Sequence, residues 1–271
     1  MNAAEGGAPR SKTSRFERAL AAGPTEGGRE ADAQVLCALA EAGIKRTGEV
    51  PYGSNAVFIL ELDAPDPVLP DQRMRAVYKP ARGERPLWDF PSQTLYLREV
   101  AAYWVDAALE LGHLPPVVLR AGPLGPGSVQ LFVHSAEQRP NAEQTARLEQ
   151  QIREVAAFDV IVNNADRKRS HLMIKRDFNL CAIDNALTFL PYPRQRTALL
   201  ALGGDKIPES FATRLRSFAN DPASVAAVRG RLARVISQRE VDAFMERVND
   251  LAANPTYPLL DDWDGRPFEW W

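Results

Sequence analysis

The sequence predicts an α+β chain built as two lobes, the first rich in strands around one long helix and the second mainly helical. Three observations lead there. Short apolar runs with turn residues between them fill much of residues 46–135, one helical stripe interrupts them at 92–111, and after Pro140 nearly every apolar pattern has helical period. A length of 271 residues also sits where a single core stops growing and chains divide. The expected division is a disordered tail over 1–28, an N-lobe over 29–135 and a C-lobe over 136–271.

Residues 1–28 are Gly, Ala, Pro and Ser with scattered charge, a composition that buries too little apolar surface to offset its ordering entropy. From Arg29 the positions Ala31, Val35, Leu36, Leu39 and Ala42 recur at helical spacing, with Gly43 as a stop. KRTGEV, AVFILEL and MRAVYKP then read as strands of a small antiparallel sheet. Leu95, Val100, Tyr103, Trp104, Ala107 and Leu111 form the long helix, closed by Gly112 and Pro115-Pro116. VVLRAGP and VQLFVHS read as two further strands, with a Gly/Pro loop at 122–127 between them. In the second half, helices are expected over 142–162, 194–202, 208–219, 222–236 and 238–252.

Composition excludes several classes. Lys and Arg number 33 against 35 Asp and Glu, a formal charge of -2, so no global positive field gathers nucleic acid or anionic membrane. The two cysteines, Cys37 and Cys181, are far apart in apolar runs and build neither a disulfide framework nor a four-Cys metal site, which points to a reducing, cytoplasmic setting. No run approaches the roughly 20 apolar residues of a membrane span, and the first residues lack an apolar signal core.

The chemistry concentrates at 159–189, DVIVNNADRKRSHLMIKRDFNLCAIDNALTF, which reads as a helix end, a polar loop and a hairpin. If Lys175 lies opposite Leu180, antiparallel pairing sets His171 opposite Asp184 on one face. Asn163, Asn164, Asp166, Lys168, His171 and Asp184 then gather at one end of the hairpin. Phosphoryl transfer wants these types: a carboxylate to orient a hydroxyl, a cation to balance phosphate charge, and oxygen or nitrogen ligands for a divalent metal. In protein kinases a metal-binding Asn stands five residues after the catalytic Asp; here the fifth residue after Asp166 is His171.

The run Asp166-Arg167-Lys168-x-x-His171-Leu172-Met173-Ile174-Lys175 and the later Ile183-Asp184-Asn185-Ala186 resemble the catalytic and metal-binding segments of phosphatidylinositol 3- and 4-kinases and, more loosely, of HipA-type bacterial kinases. VYKPARGERPLWDFP followed by REVAAY is similar to a small bacterial branch of this group. The resemblance, running over about residues 46–190, implies a two-lobed atypical protein-kinase-like fold and an ATP-dependent phosphotransferase using Mg2+ or Mn2+. It implies Lys79 on the α- and β-phosphates, Glu99 as its partner, Ser54 and Asn55 in the nucleotide loop, and residues 131–135 as a hinge beside adenine. It further implies Asp166 and Lys168 as catalytic residues and Asp184 with His171 at the metal.

Departures from the family pattern shape the alternatives. His171 replaces an Asn, and imidazole suits manganese or zinc better than magnesium. Asn185 and Ala186 replace the Phe and Gly that follow the metal Asp, removing glycine's backbone freedom there. A nucleotide-binding pseudokinase acting as a regulatory module, or transfer of AMP from an inverted ATP, are the competing readings. Taken singly, Lys79 is a strand-end lysine, Glu99 an acid on a solvated face, Asp166 a turn residue, and His171 a hydrogen-bonding histidine. Asn163 and Asn164 read as helix terminators, and His113 and His134 as structural. The acceptor is a hydroxyl of a protein or small molecule. Segment 187–196 has Arg194 and Arg196 as its positive charges, too few for a phosphoinositide headgroup. The aromatic C-terminus, with Trp263, Phe268, Trp270 and Trp271, is expected to pack on the helical lobe or on a second copy in a homodimer.

Overall fold

The computed structural model describes residues 14–21, 23–51 and 55–267. The helices are α1 (Arg15–Leu20), α2 (Ala33–Glu41), α3 (Leu95–Ala108), α4 (Ala142–Val162), α5 (Glu209–Ala219), α6 (Pro222–Val235) and α7 (Gln238–Ala253). The strands are β1 (Ile44–Glu49), β2 (Phe58–Pro65), β3 (Arg73–Pro80), β4 (Val117–Gly122), β5 (Gly125–Leu131), β6 (Leu172–Ile174) and β7 (Leu180–Ala182). Strands β1 to β5 make one antiparallel sheet in the order β1-β2-β3-β5-β4, and β6-β7 is a separate hairpin. The architecture is α+β, a five-stranded sheet followed by a mainly helical part.

Strand β3 shows why the sheet positions a site. Met74, Ala76, Tyr78 and Pro80 are buried in alternation, which leaves Val77 and Lys79 on the opposite face, toward a cleft. Helix α3 is buried from Leu95 through Ala107 because it packs on β4 and β5 on one side and on α6 on the other. Glu99, which taken singly reads as an acid on a solvated face, is therefore 3% exposed.

Four expectations change. The stretch read as a tail through residue 28 contains α1: Ser14 and Glu17 form a capping box, Ala19 is buried, Glu26 pairs with Arg234 at 2.8 Å, and α1 packs against α6. The loop expected at 122–127 is the closing end of a β4–β5 hairpin, paired down to Gly122↔Gly125. Gly125 has φ 95°, and a Cβ on Gly127 would meet Lys79 O at 2.6 Å, so both positions require glycine. The helix expected at 194–202 is an extended segment ending in one 3-10 turn at Leu200–Leu202. Its backbone instead bonds the polar loop after α4, with Arg167 N donating to Arg196 O and Ala198 N to Arg167 O.

The fourth change is register. The β6–β7 pairs are Leu172↔Ala182, Met173↔Cys181 and Ile174↔Leu180, one residue away from the expected alignment. The turn is shorter than four residues because Phe178 takes φ 57° and its N–H donates to Lys175 O at 2.9 Å, while Lys175 N reaches Asn179 O at 2.9 Å. His171 thus lies across from Ile183, whose N–H it accepts at 2.9 Å, and not from Asp184. Among the described residues no helix is long and apolar enough to cross a membrane. Phe268, Trp270 and Trp271 lie outside the described residues; Trp263 is 88% exposed.

Candidate active site

The site forms where β3, α3 and the segment after β7 meet. Lys79 Nζ donates to Glu99 Oε1 and, at 2.9 Å, to Asp184 Oδ1. Glu99 Oε2 accepts the N–H of Asn185 at 3.0 Å, so the carboxylate fixes both the lysine and the backbone beside Asp184. Asp184 has φ 59°, a left-handed conformation that Asp tolerates better than most residues. That turn takes it out of strand alternation and brings Oδ2 to 3.4 Å from His171 Nε2 despite the register. The expected neighbours meet by a backbone twist, not by cross-strand pairing.

Electrostatics follow from this packing. Burial alone would lower the Lys79 pKa, but the charges of Asp184 and Glu99 outweigh it and raise it, so the ammonium stays charged. The Lys79 charge holds Asp184 well below the usual carboxylate range, against burial and helped by His171 and Arg167. Burial pushes His171 down to about 4, with Arg167, Lys168 and Lys79 in the same direction and Asp184 opposing, so the imidazole is neutral at pH 7. Its Nδ1 faces the Lys168 N–H at 3.4 Å. Burial also raises Asp166, with Asp184 adding to the shift, although Lys168 Nζ at 3.0 Å opposes it.

Beneath these groups lies a buried scaffold that sequence reading missed. Arg167, fully buried, donates from Nε to Asp159 Oδ2 at 2.8 Å and from Nη2 to Asp159 Oδ1 at 2.9 Å. It also reaches Ile183 O at 2.8 Å and Asn185 Oδ1 at 2.6 Å, tying the end of α4 to the residues on either side of Asp184. Asn164 donates to Asp159 Oδ1 at 3.0 Å and accepts the Asp166 N–H at 2.9 Å. Asn163 terminates α4 with φ 53°, as expected of a helix terminator, and its side chain also binds Leu190 O and Tyr192 O. Arg98, also fully buried, links α3 to Glu240 of α7 and to Thr188 O. The sequence signal for these was faint: Asp159 inside the apolar DVIV and Arg98 beside Glu99 are charges on faces that only the tertiary fold buries.

The remaining expected residues fall as follows. Asn55 lines the cleft, and its Oδ1 accepts the Arg85 N–H at 2.8 Å, fastening the β1–β2 connection to the stretch after β3. Ser54 lies outside the described residues. His113 and His134 pair with distant carboxylates, Glu154 at 2.8 Å and Asp66 at 2.9 Å, away from the cleft. The cleft holds about 290 Å3 and is lined by Val77, Lys79, Gln130, His171, Asp184 and Ala186. A separate groove of about 880 Å3 lies on the far side of segment 191–195, away from Lys79.

Among the described residues no set of three or more His, Cys, Asp or Glu side chains converges as a metal cage. A cation carried in with phosphates needs no such cage, since one or two carboxylates with phosphate and water oxygens suffice. The ionised Asp184, with 48% of its side chain exposed beside the cleft, and the neutral His171 fit that role. His171 ligation at Nε2 requires the tautomer protonated at Nδ1, so on binding a metal the ring would give up the Lys168 N–H that Nδ1 accepts at 3.4 Å.

No family model matches the chain. It is 29% identical to Protein Rv2133c of Mycobacterium tuberculosis, over 86% of this chain and 93% of that protein. Among solved structures it is similar to hydra Fam20 with sugar, at 16% identity and a TM-score of 0.57, covering 89% of this chain and 95% of that one. It is also similar to the Golgi casein kinase with Mn/ADP bound, at 14% identity and a TM-score of 0.55, covering 89% and 80%. The chain has a protein-kinase-like fold.

Proposed function

We propose that the chain is an ATP-dependent phosphotransferase that moves the γ-phosphate to a hydroxyl. The observation that carries the reading is Lys79 Nζ set between Glu99 and Asp184 at the wall of the cleft. Lys79, oriented by Glu99, would bind the α- and β-phosphates, and Lys168 the γ-phosphate. Asp184 and His171 would hold Mg2+ or Mn2+, which supplies charge neutralisation on the phosphates when bound. Asp166 would position the acceptor hydroxyl. As the hydroxyl oxygen bonds to the γ-phosphorus, the bond from that phosphorus to the β–γ bridging oxygen breaks and Asp166 takes the hydroxyl proton. Its raised proton affinity suits that step. The fold shared with a kinase whose structure contains Mn/ADP supports the same nucleotide and metal here. The finer likeness of the Asp166-Arg167-Lys168 and Ile183-Asp184-Asn185 runs to phosphatidylinositol kinases and HipA-type kinases belongs to this reading, with 29–135 as nucleotide-binding lobe and 136–271 as catalytic lobe.

A single-turnover assay with labelled ATP and Mg2+ or Mn2+ tests it: transfer occurs and Asp184→Ala abolishes it, whereas transfer untouched by that change overturns the assignment. One observation favours a non-catalytic, nucleotide-binding regulator instead, namely the Asp166–Lys168 ion pair, which occupies the two groups chemistry would need. Stabilisation by ATP without turnover would select that reading. The mass of autolabelled protein separates phosphate transfer from AMP transfer.

A further inference from the structure

The groove of about 880 Å3 is not used by the chemistry above, yet it is built onto the catalytic loop. Its wall is the segment 191–195, hung from that loop where Arg194 N donates to Asn163 Oδ1 at 3.0 Å and Arg196 N to Asn164 O at 2.9 Å. Asp166 is two residues beyond Asn164. The opposite wall is α7. There Glu246 and Asp250 are exposed and, among the described residues, form no ion pair, and on the rim Asp261 Oδ1 accepts the backbone N–H groups of Trp263 and Asp264. Arg247 faces the same groove. Its Nε and Nη1 cap the carbonyls of Ile161 and Leu190, and its Nη2 is buried without a partner.

Tyr192 joins the groove to an aromatic edge. Its hydroxyl donates to Asp89 O at 3.2 Å, and next to Asp89 stands Trp88, 83% exposed, with the Arg194 guanidinium 5.0 Å from its ring. An exposed tryptophan beside a groove is the residue type that most often anchors an interface.

We infer that this groove and the Trp88–Tyr192 edge dock the phosphate acceptor, and that the acceptor is a polypeptide segment carrying lysine or arginine near its hydroxyl residue. The word acceptor rests on the phosphotransferase reading; the docking surface does not. An open trough along an extended backbone suits a chain, whereas a small metabolite needs an enclosing concavity. Carboxylates at 246, 250 and 261 attract cationic side chains and repel acidic ones, which sets specificity. The free surface of Trp88 accepts an alkyl chain or a guanidinium.

Fluorescein-labelled peptides of equal length, each with a central serine flanked by Lys/Arg, Ala or Glu, test this by anisotropy without nucleotide. The basic peptide is expected to bind at least tenfold more tightly than the acidic one, with the double variant E246K/D250K erasing the preference and Trp88→Ala weakening binding several-fold. Thermal unfolding and ATP binding should not change in either variant, since none of the three residues lines the nucleotide cleft. Equal binding of all three peptides, preference for Glu, or a basic preference that survives charge reversal overturns the inference. Phosphate transfer confined to small hydroxyl compounds overturns it as well. If no acceptor is phosphorylated while the basic preference and its reversal hold, the phosphotransferase reading fails and the docking surface stands.

Discussion

Lys79 Nζ lies 2.9 Å from Asp184 Oδ1 and is paired at the same time with Glu99, so one ammonium joins the sheet, α3 and the segment after β7. Lys79→Met strands Glu99, 3% exposed, as a buried carboxylate without its cation. Removing one partner of such a pair costs about 3–5 kcal/mol. The variant should unfold at clearly lower urea and show no phosphate transfer, while Glu99→Gln, which keeps a hydrogen-bond acceptor, should lose transfer with a smaller stability change. Equal stability of wild type and Lys79→Met in urea melts would mean the pair is not formed in solution.

Asp166 stands 3.0 Å from Lys168 Nζ, with its backbone N–H held by Asn164. Asp166→Asn keeps that geometry and removes the proton acceptor, so transfer should fall by about 10²–10⁴ with ATP affinity unchanged. A drop in ATP binding of the same size would make the residue a nucleotide ligand instead of an acceptor-orienting base.

Arg167 and Asp159 form a fully buried bidentate pair that aims both the catalytic loop and the Asp184 segment. Arg167→Met leaves Asp159 charged and dry, at a cost of about 3–5 kcal/mol. Because the same guanidinium also holds Ile183 O and Asn185 Oδ1, catalysis should fall beyond the loss of folded protein. Specific activity per folded molecule, measured below the unfolding transition, checks this; a value equal to wild type would confine Arg167 to stability.

How much of this could be read in advance depended on whether the signal was local. Helix Ala142–Val162 was legible to the residue because Asn141 caps it and its apolar stripe is unbroken. Lys79 and Glu99 were legible as a pair only through the resemblance to kinases, since the helix pattern by itself leaves Glu99 among solvated acids. The β6–β7 register was not, since it hangs on Phe178 adopting a left-handed turn that few would assign to phenylalanine. The same limit applies to 194–202, whose leucines fit a helix but whose backbone is claimed by Arg167, and to α1, whose apolar face is completed by α6 more than 200 residues later. In the last two cases a distant partner outweighed local propensity.

His171 makes stability depend on pH in a definite direction. Its side chain is 11% exposed, and burial, assisted by Arg167, Lys168 and Lys79, pushes its pKa down to about 4, while in the unfolded chain it titrates at about 6.5. Between those values the unfolded chain binds the extra proton, so the contribution present above pH 6.5 is lost as pH falls toward 4, amounting to about 3 kcal/mol at the limit. Asp166, raised by burial, works in the opposite direction. Asp184, held low by the Lys79 charge, adds its own loss only as pH falls below the ordinary carboxylate value. Comparing His171→Gln with wild type isolates the effect. Urea melts of metal-free protein in EDTA at pH 7.5 and 4.5 should show the wild type losing more stability than the variant across the interval. Equal losses would mean that the imidazole is hydrated and charges freely in the folded protein.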